Sequence, residues 1–236
     1  MILLLAGTTE ARKMAWLLHD YGIEAVASLA GETASPTAYP IPTRIGGFGG
    51  EAGFTQYLDE NGITAVIDAT HPFATAITER TARVCAHRGL PYIQLIRAEW
   101  EPEPEDKWIM VPDMASVSAV VPDGTRVFAA VGRKGATELN LPNCHLVIRT
   151  VDPQPAEDGV TYITGRPPFP EADEVDLLKL HEIDIVIAKN AGGMTEGKLL
   201  AARQLGIPVV MVQRPPMPDA LRRERVQDVL DWVMDL

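Results

Sequence analysis

Strand-sized apolar runs alternate with helical patterns along all 236 residues, and that alternation narrows the possible folds more than any other feature. Runs at 2–6, 24–28, 64–68 and 92–96 predict strands, with helices near 9–20, 52–61 and 73–88. Strands are expected again at 126–131, 145–149, 184–188 and 208–212, with helices near 171–181, 195–205 and 224–234. A strand followed by a helix and then another strand requires a right-handed crossover. The fold class is therefore α/β with mainly parallel sheets.

The chain also repeats itself. "GLPYIQLIR" (89–97) matches "GIPVVMVQR" (206–214), with Gly, Pro and Arg in the same register. "ITAVIDATH" (63–71) parallels "IDIVIAKNA" (183–191), and "ILLLAGTTEA" (2–11) parallels "VFAAVGRKGA" (127–136). The order is preserved, which indicates two tandem Rossmann-like domains, expected at 1–107 and 108–236 with the boundary somewhere in 97–125. Gly89 and Gly206 each suit the end of a helix. "EWEPEPEDKW" (99–108), with five carboxylates and two prolines, reads as a solvated connector.

A net charge of −11 argues against nucleic acid or an anionic membrane as partner. No apolar run approaches the ~20 residues that span a bilayer. "MILLLAG" lacks a basic n-region, so a cytoplasmic location is the expectation. Cys85 and Cys144 form no C-x-x-C pair and read as reduced core residues. The five histidines show no metal-ligand spacing, so no metal site is expected. The oligomeric state is left open.

In doubly wound sheets ligands lie beyond the carboxyl ends of the strands. Gly7-Thr8-Thr9-Glu10, Ser28, Asp68-Ala69-Thr70-His71, Gly132-Arg133-Lys134 and Lys189-Asn190 all fall there. "LLAGTTEAR" puts a glycine turn and two hydroxyls at a helix start, which suits a pyrophosphate, although Thr8 or Thr9 would also serve as a simple cap. The G-x-G-x-x-G fingerprint is absent. "RIGGFGGEAGF" (44–54) packs five glycines around Phe48, either as a flexible loop or as one seated against something flat. "GGMTEGKLL" (192–200) mimics a P-loop but has Leu199 where a hydroxyl must bind Mg²⁺. No tyrosine has lysine four residues on, and no G-x-S-x-G elbow occurs. In "VIDATHPFA" Asp68 and Thr70 can satisfy turn amides and Pro72 suits a first helical turn; the same residues can also do chemistry.

Together "AGTTEAR", "SLAG", "RIGGFGG", "VIDATHPFA", "GLPYIQLIR", "TGRPPF", "AKNAGG" and "KLLAARQLGIPVVMVQRP" resemble the precorrin-6A reductase family of corrin (vitamin B12) biosynthesis. The likeness runs from residue 2 to about 216. It implies cofactor and tetrapyrrole in the cleft between two Rossmann-like domains, and hydride transfer from a reduced nicotinamide that turns precorrin-6A into precorrin-6B. Gly7, Thr8, Thr9 and Glu10 would hold the pyrophosphate, with Ser28, Ala30 and Gly31 near the adenosine ribose. Gly47, Phe48 and Gly49, with Thr70, His71 and Pro72, would wall the nicotinamide. Arg133, Lys134, Arg166, Lys189, Asn190 and Arg214 would face the substrate's carboxylates.

Two departures from the family pattern stand out. Ala6 replaces the first glycine of the usual "GGT", and Glu32 stands after "SLAG" where a basic residue would suit a 2′-phosphate. NADPH is the expected cofactor, with Arg12 or Arg44 supplying the cation, and NADH is the alternative. In the catalytic reading Asp68 stabilises a protonated ring nitrogen and His71 relays or donates a proton. Otherwise the two bond to each other and to the turn. A cobalt-precorrin-6A reductase using NADH, and a non-catalytic nucleotide-sensing module of the same fold, are the competing functions. The basic side chains of the second half favour the enzyme.

Overall fold

Ile2–Leu5 (β1) is buried along its whole length, as a strand covered by helices on both faces must be. The computed structural model describes residues 1–31 and 37–236. After β1 come Thr9–Asp20 (α1), Ala25–Leu29 (β2), Thr43–Ile45 (β3), Gly50–Glu60 (α2), Ala65–Asp68 (β4), Thr75–Arg88 (α3) and Tyr92–Leu95 (β5). The chain then builds a second unit from Trp108–Val111 (β6), Arg126–Ala130 (β7), Gly132–Glu138 (α4), His145–Thr150 (β8) and Val160–Thr164 (β9). It continues with Glu171–Leu180 (α5), Ile185–Lys189 (β10), Gly197–Leu205 (α6) and Val209–Val212 (β11). Leu221–Arg223 (β12) and Val226–Met234 (α7) close the chain.

The first sheet runs β3-β2-β1-β4-β5-β12 and the second β9-β8-β7-β10-β11-β6. Within the sheets every strand pair is parallel. Each order reverses at the strand that opens its βα repeat, β1 in the first unit and β7 in the second. That reversal defines the switch point where such sheets bind ligands. Two Rossmann-like domains are thus the fold. Gly89 and Gly206 end α3 and α6 in left-handed conformations, as expected.

The units do not divide the sequence where its repeats suggest. One is Met1–Ala98 with Pro216–Leu236, and the other is Glu99–Pro215. The C-terminal segment, expected in the second domain, pairs β12 with β5 and buries Val229, Leu230 and Val233 of α7 in the same core as Met14 and Leu18 of α1. The connector is more than solvated chain. Arg203 takes Asp106 with two hydrogen bonds of 2.9–3.0 Å, and Trp108 opens β6, the sixth strand of the second sheet. Hence each sheet receives its sixth strand from outside its own run of βα repeats.

Candidate active site

At the first switch point, Thr8 is the N-cap of α1. Its hydroxyl accepts the Ala11 amide at 3.1 Å and donates to the Ala69 carbonyl at 2.8 Å. That proton bridges the turns after β1 and β4 and is not available to a ligand. The Thr8 carbonyl takes the Arg12 amide, so the amides left over by the helix ladder are those of Thr9 and Glu10. Gly7, just before, has φ +139° with open space where a side chain would be, so the turn presents bare backbone. Exposed Thr9 keeps its expected place at the helix start. The Glu10 carboxylate pairs with Arg97 at 2.7 Å. Tyr39 also reaches this turn. Burial raises its phenol, and the nearby Arg12 guanidinium and the Gly7 amide bring it part of the way back.

Ser28 lies within β2 and accepts a 2.7 Å hydrogen bond from Arg44 Nη1. Arg44 Nη2 donates to the Gly47 carbonyl at 2.9 Å, and the guanidinium lies 4.0 Å over the Phe48 ring. Phe48 has found its flat partners inside the protein. It meets Phe54 and Tyr57 edge-on at 4.9 and 5.2 Å, with Arg80 at 5.7 Å on its ring. The glycine loop is therefore seated, and Gly49 ends it as the N-cap of α2. Ala30, Gly31 and Gly47 are exposed, and Glu32 lies outside the described residues.

The turn after β4 is organised by Asp68. Its Oδ1 accepts the Thr70 hydroxyl at 2.6 Å and the Thr70 amide at 3.1 Å, and its Oδ2 accepts the Tyr92 hydroxyl at 3.0 Å. His71 is exposed and turns elsewhere: Nδ1 accepts the Phe73 amide at 3.3 Å, so in the neutral ring Nε2 carries the proton. Asp68 and His71 do not bond each other. Helix α3 begins at Thr75, so the buried Pro72 belongs to the turn and not to a first helical turn. Cys85 of α3 is buried and its thiol is pushed up to about 12, which keeps it inert.

In the second unit Arg133 and Lys134 are exposed at the start of α4, and exposed Arg166 lies 3.7 Å from Asp152. Lys189, half-buried, brings its amine against Gly135 of α4. The other two expected substrate residues are anchors. Asn190 is 2% exposed and clamps the backbone of Trp100 with two bonds of 2.9 and 3.0 Å. Arg214 holds the carbonyls of Asn190 and Ala191 at 2.8 and 2.9 Å. Lys198 of the P-loop look-alike donates to the Thr195 carbonyl at 2.6 Å and packs 4.6 Å over Trp100. Among the described residues no three His, Cys, Asp or Glu side chains gather as a metal site requires, and no helix is long and apolar enough to cross a membrane. Sequence reading missed Tyr39, which sits in an irregular segment without a motif. It also missed Arg97, although the repeat put that residue in register with Arg214.

Fold and strand-end turns define a tandem Rossmann-like α/β protein with a bare glycine turn at its first switch point. The chain matches the family model "Precorrin-6x reductase CbiJ/CobK" over residues 1–234. It is 42% identical to the precorrin-6A reductase of Rhodobacter capsulatus over 241 residues, covering 99% of this chain and 96% of that one. The precorrin-6A reductase of Mycobacterium tuberculosis is also 42% identical, over 245 residues, covering 100% and 98%. The cobalt-precorrin-6A reductase of Priestia megaterium is 28% identical over 236 residues, covering 91% of each. The solved structure of a CobK precorrin-6A reductase superposes with a TM-score of 0.94 at 41% identity, covering 99% and 96%. This chain belongs to the precorrin-6A reductase family, oxidoreductases of cobalamin biosynthesis.

Proposed function

We propose that this chain reduces one double bond of precorrin-6A to give precorrin-6B, using NADPH bound by the first unit. The identity of 42% to precorrin-6A reductases, against 28% to a cobalt-precorrin-6A reductase, favours the cobalt-free substrate. A cobalt-precorrin substrate with NADH is the second reading, motivated by Glu32. A cytoplasmic location accompanies either.

NADPH supplies the hydride; the protein binds, orients and controls charge. The amides of Thr9 and Glu10, the Thr9 hydroxyl and the bare backbone at Gly7 fit a pyrophosphate. Ser28, Ala30 and Gly31 border the ribose, while Gly47, Gly49, Thr70, His71 and Pro72 wall the nicotinamide. Phe48 acts through Arg44, whose seat it forms. A proton delivered to the macrocycle would come from His71 as the imidazolium, which is left as the neutral ring, because Asp68 is occupied as an acceptor. In the second unit Arg133, Lys134, Arg166 and Lys189 meet the carboxylate arms of the tetrapyrrole, which a chain of net charge −11 would otherwise repel. Asn190 and Arg214 shape the turn beneath them.

The observation that carries the cofactor choice is the 2.7 Å bond from Arg44 to Ser28. It holds a guanidinium at the carboxyl end of β2, where a ribose 2′-phosphate lies in this topology. Arg44→Ala is expected to weaken NADPH binding by about 1.5–3 kcal/mol, the range for a charge-assisted hydrogen bond, and to leave NADH within two-fold. Fluorescence titration with both cofactors checks this. Equal losses for the two would move the 2′-phosphate elsewhere.

Arg166→Ala should instead weaken tetrapyrrole binding several-fold and spare NADPH. Absorbance titration with precorrin-6A reads the first effect. A loss of both ligands together would contradict the division of labour between the units.

A further inference from the structure

A row of polar side chains crosses the first sheet in strict register: Arg222 of β12 stands beside Gln94 of β5, and Gln94 beside Asp68 of β4. Arg222 Nε donates to Gln94 Oε1 at 2.9 Å, Gln94 Nε2 donates to the Tyr92 hydroxyl at 3.0 Å, and that hydroxyl donates to Asp68 Oδ2 at 3.0 Å. Gln94 is 1% and Asp68 4% exposed, so water does not substitute for these partners.

The direction of every bond follows from its first member. A guanidinium only donates, so the Gln94 amide must turn its oxygen to Arg222 and its nitrogen to Tyr92. The Tyr92 oxygen then accepts, and its one proton goes to Asp68. Burial, with Asp68 adding to it, pushes the Tyr92 phenol far up, so the proton stays in place. Asp68 thus receives three donors and has nothing to donate. Its other oxygen fixes the hydroxyl and amide of Thr70, the residue before His71 and Pro72.

We propose that Tyr92, Gln94 and Arg222 are positioning residues for the reduction: a one-way hydrogen-bonded row that holds Asp68 as an acceptor and sets the Thr70-His71-Pro72 turn against the nicotinamide. The proposal rests on the reading of function above. It gives the C-terminal segment a task, because Arg222 arrives only after the chain has completed the second unit. It also recasts Asp68 as the end of a support and not the counter-charge of a protonated ring nitrogen.

Gln94→Glu separates this from a merely structural row. The variant keeps the size and offers Arg222 an ion pair, so thermal stability should hold. Two carboxylates, however, now compete for the single Tyr92 proton. With precorrin-6A and NADPH, Gln94→Glu and Tyr92→Phe should each lower kcat about ten-fold, the scale of a small misalignment, with the NADPH Kd within two-fold. Arg222→Lys, still a donor, should stay within three-fold of wild type. Amide hydrogen exchange at Thr70 gives a readout that needs no turnover. It should accelerate at least ten-fold in Gln94→Glu and Tyr92→Phe, while the β1 amides stay protected. Unchanged exchange at Thr70 overturns the row. Faster exchange with wild-type kcat overturns its role in the reaction. A wild-type protein that shows the Thr70 protection yet reduces no precorrin-6A sinks the functional reading, and the positioning role with it, while the row stands.

Discussion

Glu174→Ala is expected to destabilise the second unit by about 3–5 kcal/mol, the cost of leaving one member of a buried ion pair alone. Glu174 is 1% exposed in the first turn of α5, and Arg149 of β8 donates to its Oε1. The guanidinium is packed 3.8 Å over Phe169 and 4.9 Å from the Phe128 ring, with no room to swing into water. The pair is also imperfectly satisfied, since Arg149 Nε and Glu174 Oε2 have no hydrogen-bond partner. Replacing both together, Arg149→Met with Glu174→Leu, should therefore cost far less than Glu174→Ala alone, or even stabilise. Urea unfolding of the single and double variants measures both. A single variant within about 1 kcal/mol of wild type would mean that the pair is solvated in the folded protein.

Gly53→Ala should destabilise the first unit by roughly 2–4 kcal/mol, although alanine is the better helix former by about 1 kcal/mol. The reason is steric. A Cβ on Gly53 would stand 1.8 Å from the Phe48 carbonyl oxygen, so the glycine loop must lift from α2. Overpacking of this kind costs about 1–3 kcal/mol. Displacing Phe48 from Phe54 and Tyr57 forfeits roughly 0.5–1.5 kcal/mol more for each ring pair. Because Arg44 rests on Phe48, preference for NADPH over NADH should fall with stability. Thermal unfolding and the two cofactor titrations test it together. A stabilised Gly53→Ala protein would show that the loop does not pack on the helix as described.

Where a local pattern decides a feature, the residues announced it. Apolar runs such as Ile2–Leu5 and Ile185–Lys189 become buried parallel strands because neither face can be left wet. The strand-end positions of Thr8, Asp68 and Lys189 follow from that, as does the helix-ending role of Gly89 and Gly206. The strands β3, β6, β9 and β12 escaped because they lie at the sheet edges, largely exposed, and so lack the continuous apolar run of a buried strand; α4 escaped because seven residues show too little helical periodicity. The sorting of site residues into anchors and exposed groups escaped for a different reason. Asn190 and Arg133 both sit at strand ends, but what Asn190 does is set by Trp100, 90 residues away in sequence.

The sequence by itself determined the α/β class, the two Rossmann-like halves, the family and the turns that carry polar groups, because each is written in local spacing. Only the tertiary structure decided that the last 21 residues return to the first unit, since β12 needs the open edge of β5 and α7 needs the apolar flank of α1. Only it decided which side chains keep a donor or acceptor for a ligand. Thr8 and Asn190 spend theirs on distant backbone, and Asp68 spends its own on Thr70 and on a row begun by Arg222. Hydrogen-bond capacity is finite, and which partner takes it depends on what folding brings within 3 Å.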